Sequence, residues 1–135
     1  MKLSEHETIG QEICFDAIGV VENNFSEPAD ADDIRTSESR IFMKSNLIEA
    51  CHGMEPGQRL LVIYYFHLSE GGPLRQHPRG DESRPKRGAF MLRTPDRPNP
   101  IGLTEVELIE IHENVLRVCG LDAINGSPVL DIKPA

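Results

Sequence analysis

The sequence has no apolar run that approaches the ~18 residues of a membrane-spanning helix. Its first eleven residues are polar and acidic, and they lack the basic and apolar regions of a secretory signal peptide. From these two absences we expect a flexible tail over residues 1–11 and a cytoplasmic location. The rest of this 135-residue chain, residues 12–135, is long enough to form one domain with a sizeable core.

Cysteines are few, and no two of them form a Cys-x-x-Cys motif. An odd number of widely spaced cysteines argues against both a disulfide framework and a thiolate zinc site. Cys119 falls within an apolar stretch, and we predict that it is a small core residue. His67, His77 and Asp81 do not have the spacing of a usual ligand set, so we predict no metal.

Basic residues are outnumbered, with 14 Lys and Arg against 22 Asp and Glu and a net charge of −8. Such a balance argues against non-specific nucleic-acid binding, which needs a basic surface. Half of the basic residues nevertheless fall in one segment, at Arg75, Arg79, Arg84, Lys86, Arg87, Arg93 and Arg97. This segment is either a patch that steers a polyanion or a solvated loop with acidic residues interspersed.

Short runs typical of β-strands, by contrast, are plentiful. Residues 59–68 form the most apolar run and predict a buried strand. Residues 103–112 and 115–121 flank a Glu-Asn turn and predict a hairpin. The other predicted elements are strands at 15–23, 40–44, 87–93 and 127–132, a short helix at 45–51 capped at Ser45-Asn46, and a long loop at 26–39. These elements together predict a mostly-β barrel or sandwich.

Two nucleotide-binding fingerprints are missing. No Gly-x-Gly-x-x-Gly follows a strand-like segment, which excludes the Rossmann signature, and the sequence has no phosphate-binding P-loop. Any cofactor site in this chain is therefore of another kind. His67, at the end of the apolar run, is a candidate pocket residue, with a hydrogen-bonded position on the rim as the alternative.

Residues 93–103 contain three prolines within six positions. Each proline fixes φ, removes an N–H donor and pushes the preceding residue towards extended geometry. Asp96, Arg97 and Asn99 are therefore presented on a stiff loop, and Gly102 permits a turn or a close backbone approach. Such a loop suits a ligand site because little ordering entropy is lost on binding, although the same pattern also suits a plain connecting turn.

The run Arg-Pro-Asn-Pro-Ile-Gly-Leu at residues 97–103 resembles the signature of the TrmO family, also called the YaeB or TsaA-like family. Residues 121–134, Leu-Asp-Ala-Ile-Asn-Gly-Ser-Pro-Val-Leu-Asp-Ile-Lys-Pro, resemble that family's second signature. Residues 88–93 resemble the strand that precedes the first signature. The likeness extends from about residue 18 to the C-terminus.

The resemblance implies a single-domain, non-Rossmann β-barrel with one or two short helices. It further implies an S-adenosylmethionine-dependent methyltransferase that acts on the threonylcarbamoyl-modified adenosine beside the tRNA anticodon and forms a homodimer. The sequence departs from the family pattern in two places. The family's Pro-Arg-Gln triplet is Pro28-Ala29-Asp30 here, and the chain ends at Ala135, which predicts a minimal, single-domain member of the family. These departures and the acidic net charge favour an alternative, a non-catalytic domain that senses S-adenosylmethionine or a nucleotide.

The resemblance also implies which residues form the site. The family's cofactor-contacting positions correspond to Pro28, Ala29, Asp30, His67, Leu68, Arg93, Leu103, Leu121, Asp122, Ala123 and Ile124. Asp122 is the candidate for contact with the cofactor's polar groups. The residues predicted to face RNA are Arg84, Lys86, Arg87, Arg97 and Asn99. The sequence assigns no catalytic base.

Overall fold

Six antiparallel strands close into a barrel in the computed structural model, which describes residues 9–27 and 31–135. The strands along the chain are β1 (Gly19–Glu22), β2 (Glu38–Met43), β3 (Arg59–Tyr65), β4 (Arg75–Gln76), β5 (Arg87–Gly88), β6 (Ile101–His112), β7 (Val115–Cys119) and β8 (Pro128–Pro134). The barrel order is β1-β2-β7-β6-β3-β8, while β4 and β5 form a separate two-stranded ribbon. In the described part of the chain, one α-helix, α1 (Ala31–Thr36), and three 3₁₀ turns accompany the strands. The predicted mostly-β barrel is confirmed.

The barrel core follows from residue alternation along the long strands. Leu60, Val62 and Tyr64 of β3 point inwards and are buried. Val106 and Leu108 of β6 are fully buried, while Glu107 between them faces outwards. Each such aliphatic side chain contributes about 1.5–3 kcal/mol when it leaves water. The side-chain pattern therefore determines which face of each strand lines the core.

The predicted hairpin is present as β6 and β7. Glu113 adopts a positive φ of 54° at its turn, as a tight reversal requires. Asn114 joins this turn to the end of β2. Its side-chain Nδ2 donates to the carbonyl of Met43 at 2.9 Å, and its backbone carbonyl accepts from the Met43 amide at 2.7 Å. Hydrogen bonds therefore join β6 to β7 within the hairpin and also join the hairpin turn to β2.

Several local predictions were wrong. The predicted strand at 87–93 pairs only over Arg87–Gly88 and continues as the 3₁₀ turn Ala89–Met91. The Ala89 amide still donates to the Leu74 carbonyl at 2.8 Å, but the Leu92 amide then donates to the Ala89 carbonyl at 3.1 Å and closes a turn in place of an extended strand. The first strand covers only Gly19–Glu22 rather than residues 15–23, because pairing with β2 begins at Gly19.

The segment at 26–39 is not one loop, since it contains α1 and the start of β2. The predicted helix at 45–51 is a 3₁₀ turn, Ser45–Cys51, and its N-cap is Lys44, with no side-chain hydrogen bond, rather than Ser45 or Asn46. Cys119 is only half-buried, and its thiol donates to the Arg35 carbonyl at 3.4 Å; the core cysteine is Cys51.

Most of the predicted tail at 1–11 lies outside the described residues, which begin at residue 9. No helix in the described part of the chain is long and apolar enough to cross a membrane.

Candidate functional site

A cleft of about 810 Å³ opens beside the barrel. Its walls come from four segments that are distant in sequence: the end of β3 with the residues that follow, the proline-rich loop, the start of β6, and the loop that precedes β8. The lining residues of these segments fall at 64–69, 90–97, 101–105 and 122–127, and Ser26 and Glu27 complete the cleft. The barrel topology therefore brings both signature-like segments to one place.

The floor of the cleft is built around Tyr64. Its buried ring packs edge-on against Phe66, with ring centroids 5.2 Å apart and an interplanar angle of 75°. Its hydroxyl donates to the backbone carbonyl of Asp122 and lies 3.3 Å from the Thr104 hydroxyl. Burial raises the pKa of Tyr64 to about 12, so this hydroxyl keeps its proton at neutral pH. Tyr64 thus joins β3, β6 and the loop before β8.

Gly102 is glycine because its backbone lies against that floor. A Cβ at this position would meet ring atoms of Tyr64 at 2.6 Å and of Phe66 at 2.8 Å. Side chains essentially never approach so closely, so any larger residue forces the aromatic pair to move. The close backbone approach predicted for Gly102 is present.

The proline-rich loop is fixed by polar contacts on both sides. Gln76 donates its side-chain amide to the carbonyls of Pro73 and Asp96, both at 2.7 Å. The Ser69 hydroxyl lies 2.9 Å from the Pro95 carbonyl, and Arg97 donates to the Leu92 carbonyl at 2.8 Å. Hydrogen bonds thus hold the loop on both sides, and Gln76 joins it to the β4–β5 ribbon.

The loop before β8 is held just as firmly. Asn23 donates its side-chain amide to the Ala123 carbonyl at 2.7 Å and to the Ser39 hydroxyl at 3.0 Å. The Ser127 hydroxyl donates to the Ile124 carbonyl at 2.7 Å. With its backbone fixed, the loop presents the Asp122 carboxylate to the cleft, where partial burial raises the pKa of that carboxyl above its usual range.

Two further polar side chains, those of His67 and Arg93, belong to the lining of the cleft. Nδ1 of His67 is buried and has no hydrogen-bond partner among the described residues. A buried ring nitrogen without a partner is a position that a bound ligand can satisfy. Arg93 donates to the Leu103 carbonyl at 3.3 Å and otherwise remains exposed, so its charge stays available.

Most of the residues implied for cofactor contact come together in this cleft. Those that line it are His67, Leu68, Arg93, Leu103, Asp122, Ala123 and Ile124. Leu121 instead points into the barrel core and is only 1% exposed. Pro28, Ala29 and Asp30 lie outside the described residues.

The residues predicted to face RNA divide into two groups. Arg97 lines the cleft, whereas Asn99 is exposed on the loop beside it and is not part of the lining. Arg84, Lys86 and Arg87 are exposed around the β4–β5 ribbon, also away from the cleft walls.

Sequence reasoning missed Tyr64, Phe66, Phe90 and Thr104 as site residues. The apolar run predicted a buried strand here, but nothing in the sequence connects the Tyr64 hydroxyl to Asp122, 58 residues later. Phe90 was hidden by the wrong strand assignment at 87–93, and the structure exposes 79% of it.

The fold and cleft together define a small non-Rossmann β-barrel with a site built from two stiff loops. A family model described as the tRNA-methyltransferase O N-terminal domain matches residues 19–135. The chain belongs to this family.

Two similar proteins and one similar crystal structure agree with this family assignment. A probable S-adenosyl-L-methionine-binding protein of Methanothermobacter thermautotrophicus is 45% identical over 126 residues, which cover 91% of this chain and 90% of the relative. The tRNA (adenine(37)-N6)-methyltransferase of Escherichia coli is 34% identical over 134 residues, covering 89% of this chain and 56% of that enzyme. The crystal structure of TrmO from Pseudomonas aeruginosa matches with a TM-score of 0.71 and 26% sequence identity. The match covers 93% of this chain and 56% of the TrmO chain.

Proposed function

We propose that this protein binds S-adenosylmethionine in the cleft and transfers its methyl group to an adenosine of tRNA. The observation that carries the proposal is the convergence of the two signature-like segments, 93–103 and 121–127, on one cleft. The archaeal relative that spans nearly the same length is named for S-adenosyl-L-methionine binding. The bacterial relative named as a tRNA methyltransferase is longer, and this chain spans 56% of it.

The residues of the cleft fit such a cofactor. The unpartnered Nδ1 of His67 and the Asp122 carboxylate are polar groups for its amino acid and ribose portions, and Leu68 and Leu103 offer apolar surface. Ala123 and Ile124 contribute backbone held by Asn23 and Ser127. We assign Leu121, whose side chain is buried, a backbone role, and residues 28–30 an additional contact.

Bound S-adenosylmethionine supplies an electrophilic methyl group, and the protein's part is to orient the acceptor. Holding two reactants in line removes most of the entropic cost of their encounter. The stiff loop is suited to this because its backbone is fixed before binding, by Gln76, Ser69 and Arg97. We place Arg97 and Asn99 on the RNA side of the cleft, with Arg84, Lys86 and Arg87 as phosphate contacts further out.

The finer features of the proposal follow the resemblance. We propose that the acceptor is the threonylcarbamoyl-modified adenosine beside the anticodon, that the protein acts in the cytoplasm, and that it forms a homodimer. Leu74 and Met91, both 70% exposed and outside the cleft, provide apolar surface for a dimer contact.

Two observations favour a second candidate function. The net charge of −8 is unfavourable for a tRNA-binding enzyme, and the family's Arg and Gln are replaced at Ala29 and Asp30. A non-catalytic sensor of S-adenosylmethionine needs neither feature.

The experiment that separates the two candidates uses methyl-labelled S-adenosylmethionine and total tRNA from cells that lack the modification. We expect label to appear in the tRNA fraction and to depend on intact cleft residues, with Asp122→Ala as the variant to compare. Tight cofactor binding without label transfer would overturn the enzyme and support the sensor. Absence of both binding and transfer would contradict the whole proposal.

A further inference from the structure

Phe90 stands on the cleft wall with most of its ring open to solvent. It is 79% exposed, and it belongs to the lining of the cleft. We propose that Phe90 is a stacking platform for an adenine ring; this inference rests on the proposed function, in which both the cofactor and the tRNA acceptor contain adenine. Aromatic side chains bind bases in this way because every base offers a π-face.

The backbone presents this ring in a fixed position. Phe90 is the middle residue of the 3₁₀ turn Ala89–Met91. Ala89, before it, is buried, and its amide donates to the Leu74 carbonyl at 2.8 Å. Leu92, after it, closes the turn by donating its amide to the Ala89 carbonyl at 3.1 Å. Because both neighbours are anchored, the outward position of Phe90 is set by the fold.

One side of the ring already has a cationic neighbour. The guanidinium carbon of Arg97 lies 6.0 Å from the ring centroid, within the range of a cation–π contact. Arg97 is held there because it donates to the carbonyls of Leu92 at 2.8 Å and Thr94 at 3.4 Å. Arg97 therefore supports the ring from one direction, and most of the ring stays exposed, as a platform for a flat ligand must be.

Exposure alone does not make a site, and the chain provides its own comparison. Phe15 is 75% exposed, nearly as much as Phe90. It is not part of the cleft lining, and neither cation–ring pair in the described part of the chain involves it. Single exposed apolar residues such as Phe15 are ordinary. Phe90 differs in its cleft position and its arginine neighbour.

The absence of tryptophan makes a direct test possible. In Phe90→Trp the substituted residue is the sole tryptophan, and Phe15→Trp is the matched control. Each variant is titrated with S-adenosylhomocysteine, which contains the adenine of the cofactor. In a separate experiment it is titrated with an anticodon stem-loop RNA, which contains the adenine of the tRNA acceptor. We expect fluorescence quenching of Phe90→Trp by one of the two probes and none of Phe15→Trp. The probe that quenches identifies the source of the adenine.

Affinities complete the test. Phe90→Ala and Phe90→Leu should both bind that probe more weakly by roughly 5- to 150-fold, the fold-change that corresponds to ~1–3 kcal/mol per stacked base. Phe15→Ala should stay within about twofold of the wild type, as surface substitutions do.

Two results would overturn the inference and leave the proposed function intact. The first is that Phe90→Ala binds both probes with wild-type affinity. The second is that Phe90→Leu binds with full affinity, which would show that apolar surface suffices without a π-face. A wild-type protein that binds neither probe overturns the proposed function together with this inference.

Discussion

The barrel and the rim of its cleft are held together by different forces. In the barrel, β3, β6 and β7 are ordered by the burial of alternating aliphatic residues, such as Val62, Val106 and Val118. On the rim, the proline-rich loop and the loop before β8 are fixed by hydrogen bonds from Gln76 and Asn23, although the loop before β8 also buries Leu121 and Ala123. Burial is non-directional, whereas hydrogen bonds fix positions. Burial in the barrel therefore stabilises the fold, and hydrogen bonds on the rim hold the cleft residues in position.

The two regions meet at Tyr64, Phe66 and Gly102, so substitutions there should affect both. We expect Gly102→Ala to have the largest effect, because the added methyl meets the buried ring of Tyr64 and the partly buried ring of Phe66 at less than 3 Å. Overpacking of this kind costs about 1–3 kcal/mol or more of unfolding free energy. Denaturant unfolding measures it, and affinity for S-adenosylhomocysteine should fall as well.

Gly88→Ala is the control for this substitution, because the nearest atom to an added Cβ is the Leu74 carbonyl oxygen at 4.0 Å. It should change the unfolding free energy by less than about 0.5 kcal/mol. Equal effects of the two alanines would contradict the close packing at Gly102.

The hydroxyl of Tyr64 is the direct link from barrel to rim. Tyr64→Phe keeps the ring but removes the donor to the Asp122 carbonyl, and we expect a loss of ~1 kcal/mol in stability together with weaker cofactor binding. Tyr65→Phe, on the outer face of the same strand, is the control. If Tyr64→Phe binds cofactor as tightly as the wild type, the hydroxyl does not position the loop.

The same residue predicts a pH dependence. The folded-state pKa of Tyr64 is about 12, above its ordinary 10.0, so folding favours the protonated hydroxyl. Its contribution to stability is fully present below pH 10 and is lost as pH rises through 12. Wild-type protein should therefore lose stability faster than Tyr64→Phe across that window in pH-resolved unfolding curves. Parallel curves would show that burial does not shift this group.

A substitution confined to the rim should affect activity without affecting the barrel. Asn99 is exposed on the stiff loop, and its side chain both donates and accepts hydrogen bonds. We expect Asn99→Ala to reduce methyl transfer to tRNA while the unfolding free energy stays within about 0.5 kcal/mol of wild type. If the variant unfolds instead, the loop is a structural element and its role in the site is wrong.

The smallest effect is expected beyond the rim, at the ribbon. Replacing Arg84, Lys86 and Arg87 together with glutamine should make the log–log salt dependence of tRNA affinity shallower by roughly 2, at about 0.7 per charge for single strands. All tRNAs should weaken about equally, and cofactor affinity should not change. The control replaces Arg40 and Arg59, which pair with Glu22 and Glu105 on the barrel. Identical slopes for wild type and triple variant would make the cluster a solvated loop.

The same contrast explains how far the sequence predicted the structure. The barrel was predictable because its signals are local: a continuous apolar run at β3, and alternation with turn residues at the β6–β7 hairpin. The rim was less predictable: the 3₁₀ turn Ala89–Met91 interrupts a segment that resembles a strand in sequence, and α1 lies in a segment without periodicity. The cleft itself required the contact of Tyr64 with Asp122, which no local pattern encodes.

The central claim is that the cleft is a site for S-adenosylmethionine, and the most direct measurement is thermal unfolding of the wild-type protein with and without this ligand. At a ligand concentration ~100 times the dissociation constant, binding to the folded state alone adds about 2.7 kcal/mol, so Tm should rise clearly. The rise should shrink in Asp122→Ala, which alters the cleft, and persist in Lys44→Ala, which lies outside it. An unchanged Tm at millimolar S-adenosylmethionine would contradict the account.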